Sequence, residues 1–143
     1  MPKKDYKTLE LDPKYLPKKS EEYMSVQQKA YFYNVLMKMH DEVTASLDDV
    51  INAINLGKKL ESAGTGDDLD NTSFSMEANE KIRENERNNH LLKKIEFALK
   101  QLEEGTYGYS ILSGDEIGIK RLLARPVATL TIEEQEEVEK REK

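Results

Sequence analysis

The residues of this 143-residue chain best suited to chemistry are acids. Asp67, Asp68 and Asp70 crowd into one short stretch just after Gly64-Thr65-Gly66. Carboxylates presented at a turn can perturb the charge around a divalent ion or a basic element without catalysing anything themselves. A calcium loop is a rival reading, but this spacing lacks the alternating ligands and the glycine of an EF-hand. Paired-carboxylate hydrolysis fits no better, because a polar turn offers no pocket to raise a carboxyl pKa. With no cysteine in the chain, disulfides, thiolate nucleophiles, iron–sulfur clusters and cysteine zinc sites are all excluded. The two histidines, His40 and His90, stand far apart and are expected at a helix seam or its edge. Thr131-Ile132-Glu133-Glu134 has capping-box spacing, so the Thr131 hydroxyl should take the Glu134 amide while the Glu134 carboxylate returns to the Thr131 amide.

Charge is spread unevenly over the elements that must carry these groups. Residues 61–80 hold six acids and no Lys or Arg, so their formal charge equals the net charge of −6 of the whole chain. Such a patch repels phosphates, and direct sequence-specific DNA binding is not expected. Residues 1–19 carry six lysines against three acids, and residues 81–100 carry six basic residues against three acids. A hydrophobic fraction of 37% with 35% charged residues suits long helices with thin apolar seams better than a large core. No apolar run approaches the ~18 residues that span a bilayer, and no signal sequence opens the chain. The expectation is a soluble, cytoplasmic protein.

Residues 1–24, with Pro2, Pro13 and Pro17 among lysines, form an N-terminal arm expected to dock on a core. Ser20 or Ser25 could cap the helix that follows. From Val26 to about Leu60 there is no proline, and Val26, Ala30, Tyr33, Met37, His40, Thr44, Leu47, Ile51 and Ile54 step by four and three. That is a heptad seam, widened by Leu36, Val43 and Val50 on a neighbouring stripe. About 35 helical residues reach roughly 50 Å. A second Gly- and Pro-free segment runs from about Thr72 to Glu104, with a clear seam only in Leu91, Leu92, Ile95, Leu99 and Leu102. Two helices of matched length joined by a short turn pack antiparallel. Residues 25–104 therefore read as a hairpin with its tip at about 61–72. Residues 105–143 supply a small head: Gly105, Gly108, Gly114 and Gly118 mark tight turns, and a charged helix begins near Thr131.

The run from Tyr107 through Gly108, Ser110, Ser113, Gly114, Ile117, Arg121, Leu122 and Ala124 to Pro126 closely resembles the zinc-finger segment of the DksA family (DnaK suppressor protein), bacterial regulators that bind RNA polymerase. The family pattern is roughly F/Y-G-x-C-x-x-C-G-x-x-I-x-x-x-R-L-x-A-x-P, followed by a second C-x-x-C. Glu21-Glu22-Tyr23-Met24 and the stretch from Leu91 to Ile95 also resemble family segments, so the likeness spans about residues 21–143. It implies an all-α protein: an antiparallel two-helix coiled coil projecting from a small globular head with a degenerate finger and a C-terminal helix. At the family's four thiolate positions this chain has Ser110, Ser113, Thr131 and Glu134. Hydroxyls and one carboxylate are poor zinc ligands, so no metal is expected. The head should depend instead on the cap and on apolar packing through Ile111, Leu112, Ile117, Ile119, Leu122 and Leu123.

The resemblance further implies a non-enzymatic regulator that enters the secondary channel of RNA polymerase and modulates initiation, for example at ribosomal RNA promoters, without zinc. The family's tip pattern D-x-x-D-x-A falls on Asp67, Asp70 and Thr72, with Thr72 in the alanine's place. The alarmone ppGpp, the co-regulator, would be held jointly with the polymerase by Arg87, Leu91 and Lys94, which share one helix face. A lysine that the family adds to that site falls at Gln135. No intrinsic cofactor, no membrane partner and a monomeric state are expected. Two other readings remain open from sequence: a Gre-type transcript-cleavage factor using the same channel, and a structural or chaperone-like coiled-coil module.

Overall fold

The chain is seen here as a computed structural model, which describes residues 5–62 and 68–142, with side chains described for 6–59 and 76–142. Among the described residues five helices follow in order: α1 (Asp5–Thr8), α2 (Val26–Ser62), α3 (Asp68–Glu104), α4 (Ile119–Ala124) and α5 (Ile132–Glu142). Among the described residues the only extended pairing is one antiparallel bridge between Tyr109 and Glu116. Two compact units emerge, one formed by residues 1–38 and 95–143, the other by residues 39–94.

The first unit is the head, and its core is built where the sequence places apolar residues three and four apart. Phe32 and Leu36 on α2, Ile95 and Leu102 on α3, and Leu122 on α4 are fully buried. Tyr107, Ile117 and Ile119 complete the core between the two helices and α4. Each such side chain contributes roughly 1.5–3 kcal/mol by leaving water. The arm docks through Tyr6, which is buried and packs edge-on against Tyr33 at 5.5 Å. Lys7 adds an ion pair to Glu103 at 3.1 Å. Ser25 is the residue that starts α2, its hydroxyl accepting the Gln28 amide at 3.3 Å. The buried Gln28 side chain in turn accepts the Met24 amide at 2.7 Å, which holds Met24 in a left-handed turn at φ 53°.

Tight turns fold residues 105–118 back on that core. Gly108 sits at φ 91°, and an added Cβ there would meet the Tyr23 hydroxyl at 3.0 Å and Met24 at 3.1 Å, so both conformation and space require glycine. The Tyr23 hydroxyl donates to the Gly108 carbonyl at 2.6 Å and accepts the Gly118 amide at 3.0 Å, clamping both ends of the loop. Half of the expected apolar packing is found: Ile117, Ile119 and Leu122 are buried, whereas Ile111, Leu112 and Leu123 are exposed. Leu112 is turned outward because its own amide, with that of Ser113, is tied to the inward-facing Ser110 hydroxyl.

The second unit is an antiparallel pair. Ser46 on α2 meets Glu84 and Asn88 on α3, while Ala53 and Ile54 share a small cavity with Glu77 and Ala78. The seam is centred on the neighbouring stripe that was expected only to widen it. His40, Leu47 and Ile54 are half-buried as expected, but Val43, Val50 and Gly57 are the buried partners, and Ile51 is exposed. One residue is a rotation of about 100° on a helix, which turns Val43 and Val50 inward and leaves Ile51 outside. The opposing stripe on α3, Ala78, Lys81, Asn85, Asn88 and Leu92, is half-buried and mostly polar. Ile82, the sole strong apolar residue between 79 and 90, is exposed.

Candidate functional site

Three groups of residues could carry function. At the tip, Asp67 lies outside the described residues. Asp70 and Thr72 fall in the first turns of α3, where the backbone alone is described. Acids at the start of a helix are favoured by its dipole, so the local sequence and the helix direction agree.

On the hairpin, α3 places Arg87 and Lys94 on an exposed face with Leu91 half-buried beside them. Arg83 and His90 belong to the same face, since 83, 87, 90 and 94 step by four, three and four, and all four are exposed. The sequence reading missed Arg83, although this step was the signal that finds it. His90 is exposed and not part of the seam, whereas His40 is half-buried with an Nδ1 that lies 3.6 Å from Asp41, too long for a hydrogen bond. Arg83, Arg87 and Lys94, cations along one exposed helix face, can hold phosphates or carboxylates.

In the head, the four positions of the degenerate finger are brought together. The Thr131 amide donates to the Glu134 carboxylate at 2.9 Å, and the Glu134 amide donates to the Thr131 hydroxyl at 3.2 Å. This is the capping box that opens α5. Interaction with the Ser110 hydroxyl, then the Thr131 amide, and lesser ones with the Ser113 and Thr131 hydroxyls, hold the Glu134 carboxyl down to about 2. Ser110 is itself buried, and its hydroxyl caps the turn by accepting the Leu112 and Ser113 amides at 3.1 and 3.3 Å. Hydroxyls and a single carboxylate already engaged with a backbone amide do not fit a structural zinc ion, which takes thiolates and imidazoles. Among the described residues no group of three or more His, Cys, Asp or Glu side chains is arranged to hold a metal. Gln135 follows Glu134 on α5 and pairs its amide with Glu139 at 3.2 Å. Among the described residues no helix is long and apolar enough to cross a membrane.

Two long helices with acids at the start of the second and cations along it, and a finger whose ligand positions hold hydroxyls and a carboxylate, define a narrow class. No family model matches the chain. It is 32% identical over 129 residues to the RNA polymerase-binding transcription factor DksA of Caulobacter vibrioides, an alignment covering 90% of this chain and 88% of the relative. It is 35% identical over 129 residues to the protein of the same name from Escherichia coli, covering 90% of this chain and 83% of that one. The solved structure of transcription factor DksA2 from Pseudomonas aeruginosa is similar with a TM-score of 0.71 and 34% identity, covering 86% of this chain and 93% of the other. The chain belongs to the DksA family, as a member without cysteine.

Proposed function

We propose that this protein is a non-enzymatic, cytoplasmic transcription regulator that binds RNA polymerase through the secondary channel. It places Asp67, Asp70 and Thr72 near the active centre and modulates initiation, at ribosomal RNA promoters among others, together with ppGpp. The observation that carries this reading is whole-length likeness: relatives named as RNA polymerase-binding transcription factors align over 90% of the chain, head and hairpin included. Arg87, Leu91 and Lys94 receive ppGpp at the polymerase interface, which their shared face on α3 supports. The chain acts as a monomer, and without zinc, a reading that the engaged donors at Ser110, Ser113, Thr131 and Glu134 support.

The test is pull-down with RNA polymerase coupled to transcription in vitro from a ribosomal RNA promoter, with and without ppGpp. Asp70→Asn should leave polymerase binding within about twofold, since a side chain that acts on the active centre contributes little to affinity, while abolishing the effect on transcription. Joint loss of binding and regulation would argue against an active tip. Lys94→Ala should remove the ppGpp enhancement and leave the ppGpp-independent effect. Cleavage of the transcript in a backtracked complex would instead favour the Gre-type reading.

A further inference from the structure

Gln101 on α3 is only 5% exposed, yet among the described residues no hydrogen bond reaches its side-chain amide. Its main-chain carbonyl is fully engaged, accepting the Thr106 and Tyr107 amides at 2.9 and 3.2 Å. The side-chain amide is not sealed in the core either. Among the described residues the sealed side-chain atoms without a partner belong to Tyr6, His40 and Asn85. The little surface that Gln101 keeps therefore includes its amide, which offers a donor and an acceptor side by side.

Gln101 lines a groove of about 560 Å³ formed by the end of α3 and residues 105–114, a volume that suits a small organic ligand. Phe97, Gln101 and Glu104 step by four and three along α3, so one helix face supplies one side of it. The Phe97 ring is 43% exposed. Tyr109 and Ile111 contribute from the turn, with Tyr109 held edge-on to Tyr23 at 5.5 Å. Ser110, buried in the same lining, has its hydroxyl occupied by the Leu112 and Ser113 amides. That leaves Gln101 as the enclosed polar side chain with free capacity. Glu104 is the one charged residue of the lining, and the Lys100 ammonium approaches its carboxylate only at 4.0 Å.

These features select a ligand. Aromatic rings stack planar heterocycles. A glutamine amide pairs with a ring edge that carries an adjacent donor and acceptor, as it does with adenine. A carboxylate in a lining without Lys or Arg repels phosphate. We propose that this groove binds an uncharged planar heterocycle of the adenine type, paired with Gln101 and stacked on Phe97 and Tyr109. The site shares no residue with the cationic row of α3, and it does not rest on the polymerase reading.

The experiment titrates the full-length chain with adenosine, AMP and uridine by calorimetry, for wild type, Phe97→Ser and Gln101→Leu. Adenosine should bind the wild type with a Kd on the order of 0.1 mM, as expected of a ligand that small. AMP should bind more weakly at low salt, with the gap closing as salt screens Glu104. Phe97→Ser should weaken adenosine about tenfold by loss of stacking. Gln101→Leu should weaken it to a similar extent and abolish the preference for adenosine over uridine. Neither variant should melt below wild type, since Phe97 is exposed and the Gln101 side chain gives up no hydrogen bond. Absence of saturable adenosine binding to the wild type overturns the site. Tighter binding of AMP than of adenosine, or equal binding of uridine, overturns the ligand assignment on the wild type alone. Undiminished adenosine affinity in both variants places any binding elsewhere and overturns the proposal as well.

Discussion

Glu134 shows how one carboxylate can organise a loop. Its contacts with the Ser110, Ser113 and Thr131 hydroxyls and the Thr131 amide favour the ionised form, which places its pKa at about 2 against 4.5 for a free glutamate. A carboxyl depressed on folding stabilises the fold above its unfolded pKa, and that contribution is lost as pH falls through the folded one. Wild-type head stability should therefore decline between about pH 4.5 and 2. Glu134→Gln should melt lower at neutral pH and show a smaller decline over that window, read by circular dichroism across pH. Equal slopes in both proteins would contradict the account. The cap was legible in the sequence because its partners are three residues apart and the motif is local. The inward Ser110 and the outward Ile111 and Leu112 were not legible, because nothing in a short turn says which face meets the core until Thr129 and Asp115 come to pair with it.

At the scale of the elements, α2 and α3 run a little beyond the expected bounds, Val26–Ser62 against about 26–60 and Asp68–Glu104 against about 72–104. Their register was harder to read. Met37, Thr44 and Ile51 lie one residue from Leu36, Val43 and Val50, and the choice between two adjacent stripes is made by what the partner helix presents. That partner is polar here: Asn88 donates to the Ser46 hydroxyl at 2.9 Å, and Asn85 keeps a buried Oδ1 without a hydrogen-bond partner. A polar residue at a seam position fixes register at a cost in stability. Asn85→Leu should therefore stabilise the hairpin by roughly 1 kcal/mol by removing an unsatisfied acceptor, seen as slower amide exchange in residues 76–94. Faster exchange would mean that Asn85 has a role in the seam that leucine cannot fill.

For the whole molecule, spacing made the two long helices legible and the family resemblance implied the fold class, and the structure is mainly helical among the described residues. The head is held by Phe32, Leu36, Ile95, Leu102 and Leu122 together with hydrogen bonds from the Tyr23 and Tyr107 hydroxyls and the Thr131 amide. None of these involves a group that a chelator removes. Excess EDTA should leave the melting temperature of the purified protein unchanged, and a fall of several degrees would show that a bound ion contributes. The capping box carries one more consequence, for the route to the native state. A metal knot closes only after four distant ligands have met an ion, so it adds a bimolecular step to assembly. The Thr131–Glu134 cap closes within a single turn of chain, and local contacts of that kind form on the timescale of helix nucleation. Newly made copies can therefore complete the start of α5 without waiting for a delivered ion, at a rate set by the chain alone.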